Sequence, residues 1–427
     1  MRVISYKDFG ISPMLLSLAA EAETELADVF QRIDFVRESN QLKVIKAMQQ
    51  HRLSEAHFAG TTGYGYGDRG REVLDSVYAA VFGAEAAFVR KQILNGTQAV
   101  SLCLFACLRP GDEMISITGK PYDTLEEAIG LKGDKGHGSL MEYGIDYKQV
   151  DLLPNGRIDI GKVCTCLKPD SRVVFIQKSR GYSQRSALSN REIREAVIRI
   201  RQRCPEIIVI VDNCYGEFVE TLEPTEAGAD LAAGSLIKNP GGGIAPCGGY
   251  IAGKACFVEK VAHRFGSPGL GGEVGANPEG NRLLFQGLFM APHAVGECLK
   301  GAAFCAAIAE KTGLRSWPSS RDERYDLIQS IGFDRADQLL LFIQGIQKAA
   351  PVDSFVVPMP WDMPGYDCPV VMSAGCFISG SSLELSADAP MREPYVAYVQ
   401  GGLVYSHVKL GVLTAMQSIL YQCGEEP

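Results

Sequence analysis

Between residues 72 and 255 the chain alternates helical stretches with short runs of β-branched and other apolar residues. Strands that alternate with helices predict βαβ units and a mostly parallel sheet that is buried on both faces. We therefore expect an α/β domain in this part of the chain. The runs that carry the prediction are AAFVRKQIL, EMISIT, RVVFIQ, EIIVIVD and GGYIAG.

The pattern divides the chain into three predicted regions. Residues 1–59 form an N-terminal helical arm, because apolar side chains recur at helical spacing with no Gly or Pro between Pro13 and residue 56. Residues 60–285 form the large α/β domain, and residues 286–427 form a smaller α+β domain. The predicted elements of the smaller domain are a long helix-prone stretch, β-rich segments at 354–358 and 368–377, and a final helix at 404–421.

Composition and charge argue against several classes of protein. A net charge of -8 and a pI near 5.5 disfavour nucleic acid or an anionic membrane as the main partner, since both attract clustered Lys and Arg. No apolar run approaches the roughly 20 residues of a membrane span, and the first ten residues lack the pattern of a secretory signal, so we expect a cytoplasmic protein. The 13 cysteines include no CxxC pair, and we expect no metal.

Asp212 and Lys238 are the residues around which the functional prediction is built. Asp212 ends the run EIIVIVD, where a buried carboxylate needs a cation opposite it. Lys238 follows another apolar segment, and a lysine partly removed from water has a lowered pKa, which frees its amine for imine formation with an aldehyde. The pair therefore predicts pyridoxal phosphate, with Lys238 as the Schiff-base lysine and Asp212 at the pyridine nitrogen. For either residue alone, the structural alternative is a turn cap or a surface lysine.

Two further segments suit the same cofactor. In ILNGTQAV a strand turns through Gly96 into a predicted helix, whose first amides and the Thr97 hydroxyl form an anion site that Ser235 could join. The alternative for this segment is an ordinary helix cap. Tyr122 follows the EMISIT strand and its ring could stack on a flat heterocycle or, alternatively, pack against a helix.

These residues lie in motifs that resemble the fold-type I pyridoxal-phosphate enzymes of cysteine and methionine metabolism. The motifs NGTQAV, LRPGDE, PYDTL, VIVDNCYGE, GAD and SLIKN stand in the family's order between about residues 60 and 255. The loop GYGYGDRGR and the tail segment LELSADAPMREPYVAYVQGG are closest to a bacterial branch described as methionine gamma-lyase-like or aluminium-resistance proteins. The resemblance implies the pyridoxal-phosphate-dependent transferase-like fold, with a mostly parallel sheet of the seven-stranded type and a smaller C-terminal α+β domain.

The resemblance also implies roles for individual residues. Lys238 is similar to the lysine that moves the substrate's alpha proton, Asp212 to the ring-nitrogen partner, and Tyr122 to the stacking tyrosine. Gly96, Thr97 and Ser235 match the phosphate binders. In the family a tyrosine and an arginine of the neighbouring subunit reach the phosphate, which implies a homo-oligomer, a dimer with shared active sites that assembles into a tetramer. The matching candidates here are Tyr64, Tyr66, Arg71 and, less closely, Arg69.

The chain departs from the family in ways that bear on its substrate. One phosphate-binding hydroxyl is missing, since SLIK stands where the wider family has Ser-x-Thr-Lys, and Asp123 stands where methionine gamma-lyase has cysteine. The substrate-carboxylate arginine near the C-terminus is also absent. Arg392 is the candidate replacement because a guanidinium binds a carboxylate bidentately, and its alternative is a surface salt bridge. Arg180 and Arg185 are further candidates.

These observations predict a carbon-sulfur lyase that expels a thiol from cystathionine, methionine, cysteine or a similar amino acid by beta- or gamma-elimination. In this mechanism Lys238 removes the alpha proton, and Tyr122 or Tyr64 assists protonation. An aminotransferase with the same cofactor is the first alternative, since the fold supports both. A cofactor-binding metal-tolerance protein with little turnover is the second.

Overall fold

The computed structural model of the protein describes residues 3–168, 171–183, 185–363 and 368–422. The chain forms two compact units. The first joins Met1–Glu38 to Pro292–Pro427, and the second is Ser39–Ala291. In this division the first 38 residues group with the C-terminal part of the chain, while the predicted limits at residues 59 and 285 stay a prediction.

Helices and strands alternate through the second unit, as the periodicity predicts. The α-helices of the chain are α1 (Pro13–Glu25), α2 (Ala27–Gln50), α3 (Arg69–Val81), α4 (Gly96–Cys107), α5 (Asp123–Ile129), α6 (Ile160–Cys166), α7 (Asn190–Arg203), α8 (Ala255–Phe265), α9 (Arg282–Lys311), α10 (Ala336–Lys348) and α11 (Tyr405–Gln422). The strands are β1 (Ala86–Arg90), β2 (Glu113–Ser116), β3 (Asp146–Gln149), β4 (Ser171–Gln177), β5 (Ile208–Asp212), β6 (Leu231–Ser235), β7 (Gly249–Gly253), β8 (Arg315–Trp317), β9 (Gln329–Phe333), β10 (Val370–Ser373), β11 (Ser386–Pro390) and β12 (Tyr395–Gln400).

The second unit is built on a seven-stranded sheet in the order β1-β7-β6-β5-β4-β2-β3. The pairs from β6 through β5, β4 and β2 to β3 are parallel, and β7 runs antiparallel to both of its neighbours. The prediction of a mostly parallel α/β sheet is therefore confirmed. Because the carboxyl ends of parallel strands meet at one edge, the segments that follow β2, β4, β5 and β6 lie along the same rim of the sheet.

Strand β5 shows why the sheet is buried on both faces. Ile208 and Ile210 pack into the apolar cluster on the side of α4, whereas Val209 and Val211 pack into the cluster that contains α7 residues. Successive side chains of a strand point to opposite faces, so a continuous run of apolar residues is required here. Burial of each such side chain contributes about 1.5–3 kcal/mol to folding.

Asp230 shows how the opposite end of the sheet is tied together. Its carboxylate, 2% exposed at the residue before β6, accepts hydrogen bonds from the Val209 N–H at 2.7 Å and from Arg201 at 2.8 Å. Lys254 adds an ion pair at 2.7 Å. Asp230, the aspartate of the GAD motif, therefore connects β5 to β6, and its role is structural.

The first unit contains a five-stranded antiparallel sheet in the order β10-β11-β12-β9-β8. Helices α10 and α11 pack together, and their apolar residues share one core with α1 and with the sheet. Leu15, Ile343 and Leu413 are completely buried in it. The segment at 404–421 forms a helix as expected, and β10 lies inside the predicted β-rich segment 368–377.

One local prediction was wrong, and one strand was missed. Residues 354–358 form a turn and irregular backbone instead of a strand, and Phe355 is 84% exposed, so its apolar side chain has no layer to pack on. Strand β3, with the sequence DYKQ, was not predicted, because its polar residues carry no apolar alternation. It forms the edge of the larger sheet by parallel pairing with β2.

Within the described ranges, no helix is both long enough and apolar enough to cross a bilayer. Over the same part of the chain, His, Cys, Asp and Glu side chains form no group of three or more that could hold a metal ion.

Candidate active site

The Asp212 side chain lies at the carboxyl end of β5, beside Gln177 at the end of β4. It is 4% exposed, and its Oδ1 accepts a hydrogen bond from the Cys214 N–H at 3.0 Å. Burial raises the pKa of this carboxyl, and the positive charge of Lys238 opposes the rise. The predicted aspartate and lysine both lie near the carboxyl rim of the sheet, where the charge of each acts on the pKa of the other.

Lys238 lies three residues after β6 and is partly exposed. Burial acts to lower its pKa, but four neighbouring acidic groups raise it by more, so the net shift is upward. They are Cys214, Tyr215, Asp212 and Glu217. The predicted lowering of the pKa was wrong for the ligand-free chain, because desolvation is outweighed by these neighbours. The amine carries a proton and must lose it before it can act as a nucleophile.

The chain immediately after Asp212 surrounds Lys238 and was not assigned a role from the sequence. The Lys238 Nζ lies 3.9 Å from the centroid of the Tyr215 ring. Tyr215 and Phe218 have positive φ angles of 71° and 61°, which fold this segment back on itself. The signal was present in the motif VIVDNCYGE, since residues that follow a strand's carboxyl end lie at the ligand edge.

Gly96, Cys214 and Ser235 meet at the start of α4. A Cβ atom on Gly96 would lie 2.8 Å from the Cys214 Sγ and 3.6 Å from the Ser235 Cβ, so only glycine fits without a shift of its neighbours. Ser235 is 1% exposed, and its Oγ has no hydrogen-bond partner among the described residues. A buried hydroxyl without a partner is costly, which indicates that this atom is placed for a ligand.

The first turn of α4 and the first turn of α5 adjoin this position. Asn95 caps α4 by accepting from the Gln98 N–H at 2.8 Å, which leaves other amides of the helix start available for an anion. Thr97 Oγ1 lies 2.9 Å from Thr124 Oγ1. The alternative of an ordinary helix cap is confirmed for Asn95, while phosphate binding by Gly96 and Thr97 stays a prediction.

Tyr122 lies at the N-cap of α5. Its backbone N–H donates to Gln177 Oε1 at 3.2 Å, and its hydroxyl interacts with the Thr97 side chain. Burial, followed by the negative charge of Asp212, raises its pKa well above the usual range. The phenol is therefore neutral at physiological pH, and it belongs to the same group of side chains as Asp212 and Lys238.

The predicted trans-subunit residues lie in and after the GYGYGDRGR loop. Tyr64 and Tyr66 are 74% and 63% exposed, with ring centroids 5.6 Å apart. Arg69, the first residue of α3, is exposed. Arg71 is buried, and its guanidinium donates 3.0 Å hydrogen bonds to the Gly275 and Glu273 carbonyls. Arg71 thus anchors a loop of its own chain, and contact with a neighbouring subunit's phosphate stays a prediction for these residues.

The candidate carboxylate arginines lie in different units. Arg180, which follows β4, is 4% exposed, and Arg185 donates to the Gln177 carbonyl at 2.7 Å, close to the rim of the larger sheet. Arg392 is exposed in the turn between β11 and β12 of the first unit, where its backbone N–H donates to the Pro390 carbonyl at 2.9 Å. The role of each in substrate binding stays a prediction.

The arrangement has three chemical parts. The start of α4 with Ser235 suits a small dianion, a buried carboxylate at Asp212 suits a protonated nitrogen, and Lys238 holds a transferable proton. All three lie in the second unit at the carboxyl ends of β1, β5 and β6. This is the region where open α/β sheets bind ligands.

A model of the family described as methionine gamma-lyase matches residues 15–420. The chain belongs to the methionine gamma-lyase family. The match extends over both units, so the resemblance noticed in the motifs of the larger sheet holds for almost the whole chain.

Proteins with close similarity to the chain come from several bacteria. The protein YnbB of Bacillus subtilis, described as uncharacterized, is 49% identical over 407 residues, 95% of this chain and 97% of its own. A Clostridium acetobutylicum protein, named as a candidate cystathionine beta-lyase involved in aluminium resistance, is 50% identical, covers 97% of both chains and has a TM-score of 0.94. A Clostridium novyi protein named as a carbon-sulfur lyase involved in aluminium resistance is 48% identical, with 97% of both chains covered and a TM-score of 0.93.

A more distant match bears on the fold alone. The Escherichia coli protein YhfS, described as pyridoxal-5'-phosphate dependent, is 16% identical, with a TM-score of 0.62 over 91% of this chain and 97% of its own. Together with the sheet topology, this likeness confirms the predicted pyridoxal-phosphate-dependent transferase-like fold.

Proposed function

We propose that the protein is a cytoplasmic pyridoxal-phosphate-dependent carbon-sulfur lyase that acts on a sulfur-containing amino acid by beta- or gamma-elimination. The observation that carries the proposal is the placement of Asp212 and Lys238 at the carboxyl ends of the adjacent parallel strands β5 and β6, where their charges act on each other. A buried acid and a lysine in this arrangement match the two ends of one flat cofactor.

The phosphate end of the cofactor fits the start of α4. Ser235 Oγ is buried without a partner among the described residues, so a phosphate oxygen would satisfy it. Gly96 leaves the helix start open, and the free amides with the Thr97 hydroxyl supply further donors. The SLIK motif lacks the second phosphate-binding hydroxyl of the wider family. In this arrangement the free backbone N–H groups at the start of α4 take its place.

The ring end of the cofactor fits Asp212. A carboxylate at this depth keeps a pyridine nitrogen protonated, because separating the two buried charges is costly. Tyr122, which is neutral and interacts with Thr97, would stack on the cofactor ring. When bound, pyridoxal phosphate supplies an electron sink for the charge left at the substrate's alpha carbon.

Lys238 is the group that moves the proton. Once its Nζ is free, it accepts the alpha proton of the amino acid and holds it for delivery to the product. Tyr122, whose phenol keeps its proton, or the exposed Tyr64 of a neighbouring subunit supplies the proton for the departing sulfur. One water molecule hydrolyses the unsaturated amine that the elimination leaves, so the products are a keto acid, ammonia and a thiol.

The names of similar proteins support the reaction class. The Clostridium novyi and Clostridium acetobutylicum proteins are named for carbon-sulfur and cystathionine lyase activity. Arg392 or Arg180 binds the substrate carboxylate in this proposal, since a guanidinium offers a bidentate fork. The exposed Tyr64 and Tyr66 support an active site completed by a second copy of the chain, with a tetramer as the assembled form.

Reconstitution of the purified protein tests the proposal. Mixing it with pyridoxal phosphate should produce visible absorbance, and cysteine, cystathionine or methionine should then yield thiol and ammonia. Lys238→Ala should abolish both signals. Lys120→Ala is the matched control, because Lys120 lies near the same rim with a 61% exposed side chain paired to Glu126, and it should leave both signals intact.

Three outcomes would contradict the proposal. Unchanged absorbance and turnover in Lys238→Ala would remove the lysine assignment. A keto acid without thiol, together with the pyridoxamine form of the cofactor, would identify an aminotransferase. Bound cofactor without turnover of any amino acid in a broad panel would favour a cofactor-binding metal-tolerance protein.

A further inference from the structure

Glu217 is a fully buried acid in the segment that surrounds Lys238. Its side chain is 0% exposed, its Oε1 accepts a hydrogen bond from the Tyr250 hydroxyl at 3.0 Å, and its Oε2 has no partner among the described residues. A carboxylate with one unsatisfied oxygen in such a place is strongly disfavoured relative to the neutral acid.

The sheet makes room for this carboxyl. Gly234 pairs with Tyr250 across β6 and β7, and a Cβ on Gly234 would lie 2.4 Å from Glu217 Oε1 and 3.1 Å from the Tyr250 hydroxyl oxygen. Any other residue at 234 would therefore displace the acid. Gly234 belongs to β6, Tyr250 to β7, and Glu217 to the segment after β5. Three separate parts of the chain therefore form the site that holds this carboxyl.

The segment that carries this carboxyl lies against Lys238, whose Nζ is 3.9 Å from the centroid of the Tyr215 ring, two residues before Glu217. Asn239, the next residue in the chain, donates from its side-chain amide to the Glu217 backbone carbonyl at 2.9 Å. The Glu217 carboxyl and the Lys238 ammonium interact electrostatically in both directions, since each shifts the protonation of the other. Glu217 is therefore a second carboxyl group, in addition to that of Asp212, whose charge raises the pKa of Lys238.

We propose that Glu217 is a positioning residue that acts through Lys238, with its buried carboxyl setting the charge state of the Lys238 nitrogen. The inference rests on the proposed function, because it assigns Lys238 as the residue that binds the cofactor. It also extends that function, since the family motifs noted in the sequence give no role to this position.

The groups that face Glu217 determine how it titrates. Burial raises its pKa to about 8, and the negative charge of Glu223 adds to the rise, while the Tyr250 hydroxyl and the Lys238 charge oppose it. The negative charge of Glu217 also acts on Tyr78, which lies on α3, and on Cys214. Because burial raises the pKa of both side chains, both are neutral near pH 7. Near pH 7 Glu217 is therefore mostly protonated, and its full negative charge appears above about pH 8.

The consequence concerns the Lys238 nitrogen. While Glu217 is neutral, Asp212 is the main acid that holds a proton on Lys238, and the amine loses that proton more readily. When Glu217 ionises, a second negative charge holds the proton on the nitrogen. Ionisation of Glu217 therefore makes the Lys238 proton harder to remove, whereas neutral Glu217, the main form near pH 7, does not.

The test is a pH titration of the visible absorbance of the bound cofactor, a signal independent of turnover. Glu217→Gln preserves shape and the neutral state but cannot ionise, so the midpoint should fall by about one pH unit, a tenfold change in proton affinity. Tyr250→Phe removes the donor that favours ionised Glu217 and should lower the midpoint by less. The double variant should shift no further than Glu217→Gln.

Glu113→Gln is the matched control. Glu113 is 3% exposed at the start of β2, where its Oε1 accepts from Ser171 at 2.7 Å, and it should leave the midpoint unchanged. A midpoint in Glu217→Gln and in Tyr250→Phe equal to that of the unaltered protein would overturn the inference while leaving the proposed function intact. If Glu217→Gln does not fold, Tyr250→Phe alone decides in the same way. Absence of visible absorbance in the unaltered protein would refute the proposed function instead.

Discussion

The Lys238 Nζ lies over the face of the Tyr215 ring, 3.9 Å from its centroid. A cation in this position is stabilised by the ring's quadrupole by about 0.5–2 kcal/mol, depending on how far it is desolvated. The aromatic ring therefore acts with the surrounding acids to keep Lys238 protonated in the ligand-free chain.

Removal of the Tyr215 ring should make Lys238 react faster with the cofactor. In Tyr215→Leu the ammonium loses its ring contact, so its pKa should fall by up to about one unit and the rate of cofactor binding at neutral pH should rise by up to about tenfold. Stopped-flow measurement of the visible absorbance at several pH values checks this. Tyr215→Phe keeps the ring and loses only the contribution of the phenol group to the raised Lys238 pKa, so its rate should rise by less than that of the leucine variant. Equal rates in the leucine and phenylalanine variants would exclude a role for the ring.

Ser235→Ala should separate cofactor binding from folding. Because the Ser235 Oγ is buried with no partner among the described residues, its removal relieves an unsatisfied polar group and should raise the free energy of unfolding of the cofactor-free chain by about 1 kcal/mol or more. The Kd for pyridoxal phosphate should rise about five- to fifteen-fold, the value of one lost hydrogen bond. Denaturant unfolding and absorbance titration measure the two quantities.

Ser116→Ala is the control for that prediction and should show the reverse pattern. Ser116 is also buried at the carboxyl end of a strand, but its Oγ donates to the Gly119 carbonyl at 2.6 Å. Its removal should lower stability by about 1 kcal/mol with little effect on the Kd. The same effect of both serine variants on the Kd would argue against a phosphate contact at Ser235.

Gly96→Ala should be harmful for a reason that a second substitution can remove. The added Cβ would lie 2.8 Å from the Cys214 Sγ, so the neighbouring chain must shift, at a cost of about 1–3 kcal/mol in the free energy of unfolding. Cys214→Ala removes the sulfur, and the double variant should recover at least half of that loss. Unfolding by denaturant measures all four proteins, and strictly additive losses would show that the contact is not the cause.

Glu217 should make the cofactor-free chain less stable as the pH rises. The native state binds its proton more tightly than the unfolded state, because the pKa is about 8 in the fold against the usual 4.5. The stabilising contribution is complete below pH 4.5 and is lost as the pH rises to 8, by about 1.4 kcal/mol per pH unit at most. Glu217→Gln should remove this slope in denaturant unfolding at several pH values. A parallel pH dependence in the two proteins would contradict the assigned protonation state.

Much of the larger unit could be predicted because its strands are buried on both faces. The run from Ile208 to Val211 is apolar throughout, and a run of that length bounded by a carboxylate indicates a central strand with Asp212 at the rim. Strand β3 escaped prediction because it forms an edge with polar side chains. The prediction of a β-rich segment at 354–358 was wrong for the opposite reason, since the apolar residues of this segment are exposed and not part of a sheet.

The residues that hold the cofactor in the proposal could be listed from the motifs, but their protonation could not. The pKa of Lys238 was expected to be lowered, and the structure shows it raised. Burial alone would lower it, and the outcome depends on which acids fold against the amine. Glu217 and Tyr250 are 33 residues apart in the chain, and no local pattern links them.

Periodicity and turn chemistry are local, so the amino-acid order was sufficient to establish an α/β sheet and to bring Asp212, Lys238, Gly96 and Tyr122 to one rim of it. Electrostatic energy depends on distance in space and on the exclusion of water, and both arise only when distant segments pack. The folded chain therefore decided that Lys238 is a charged ammonium under a tyrosine ring, that Ser235 Oγ is left without a partner among the described residues, and that a second buried acid stands at Glu217.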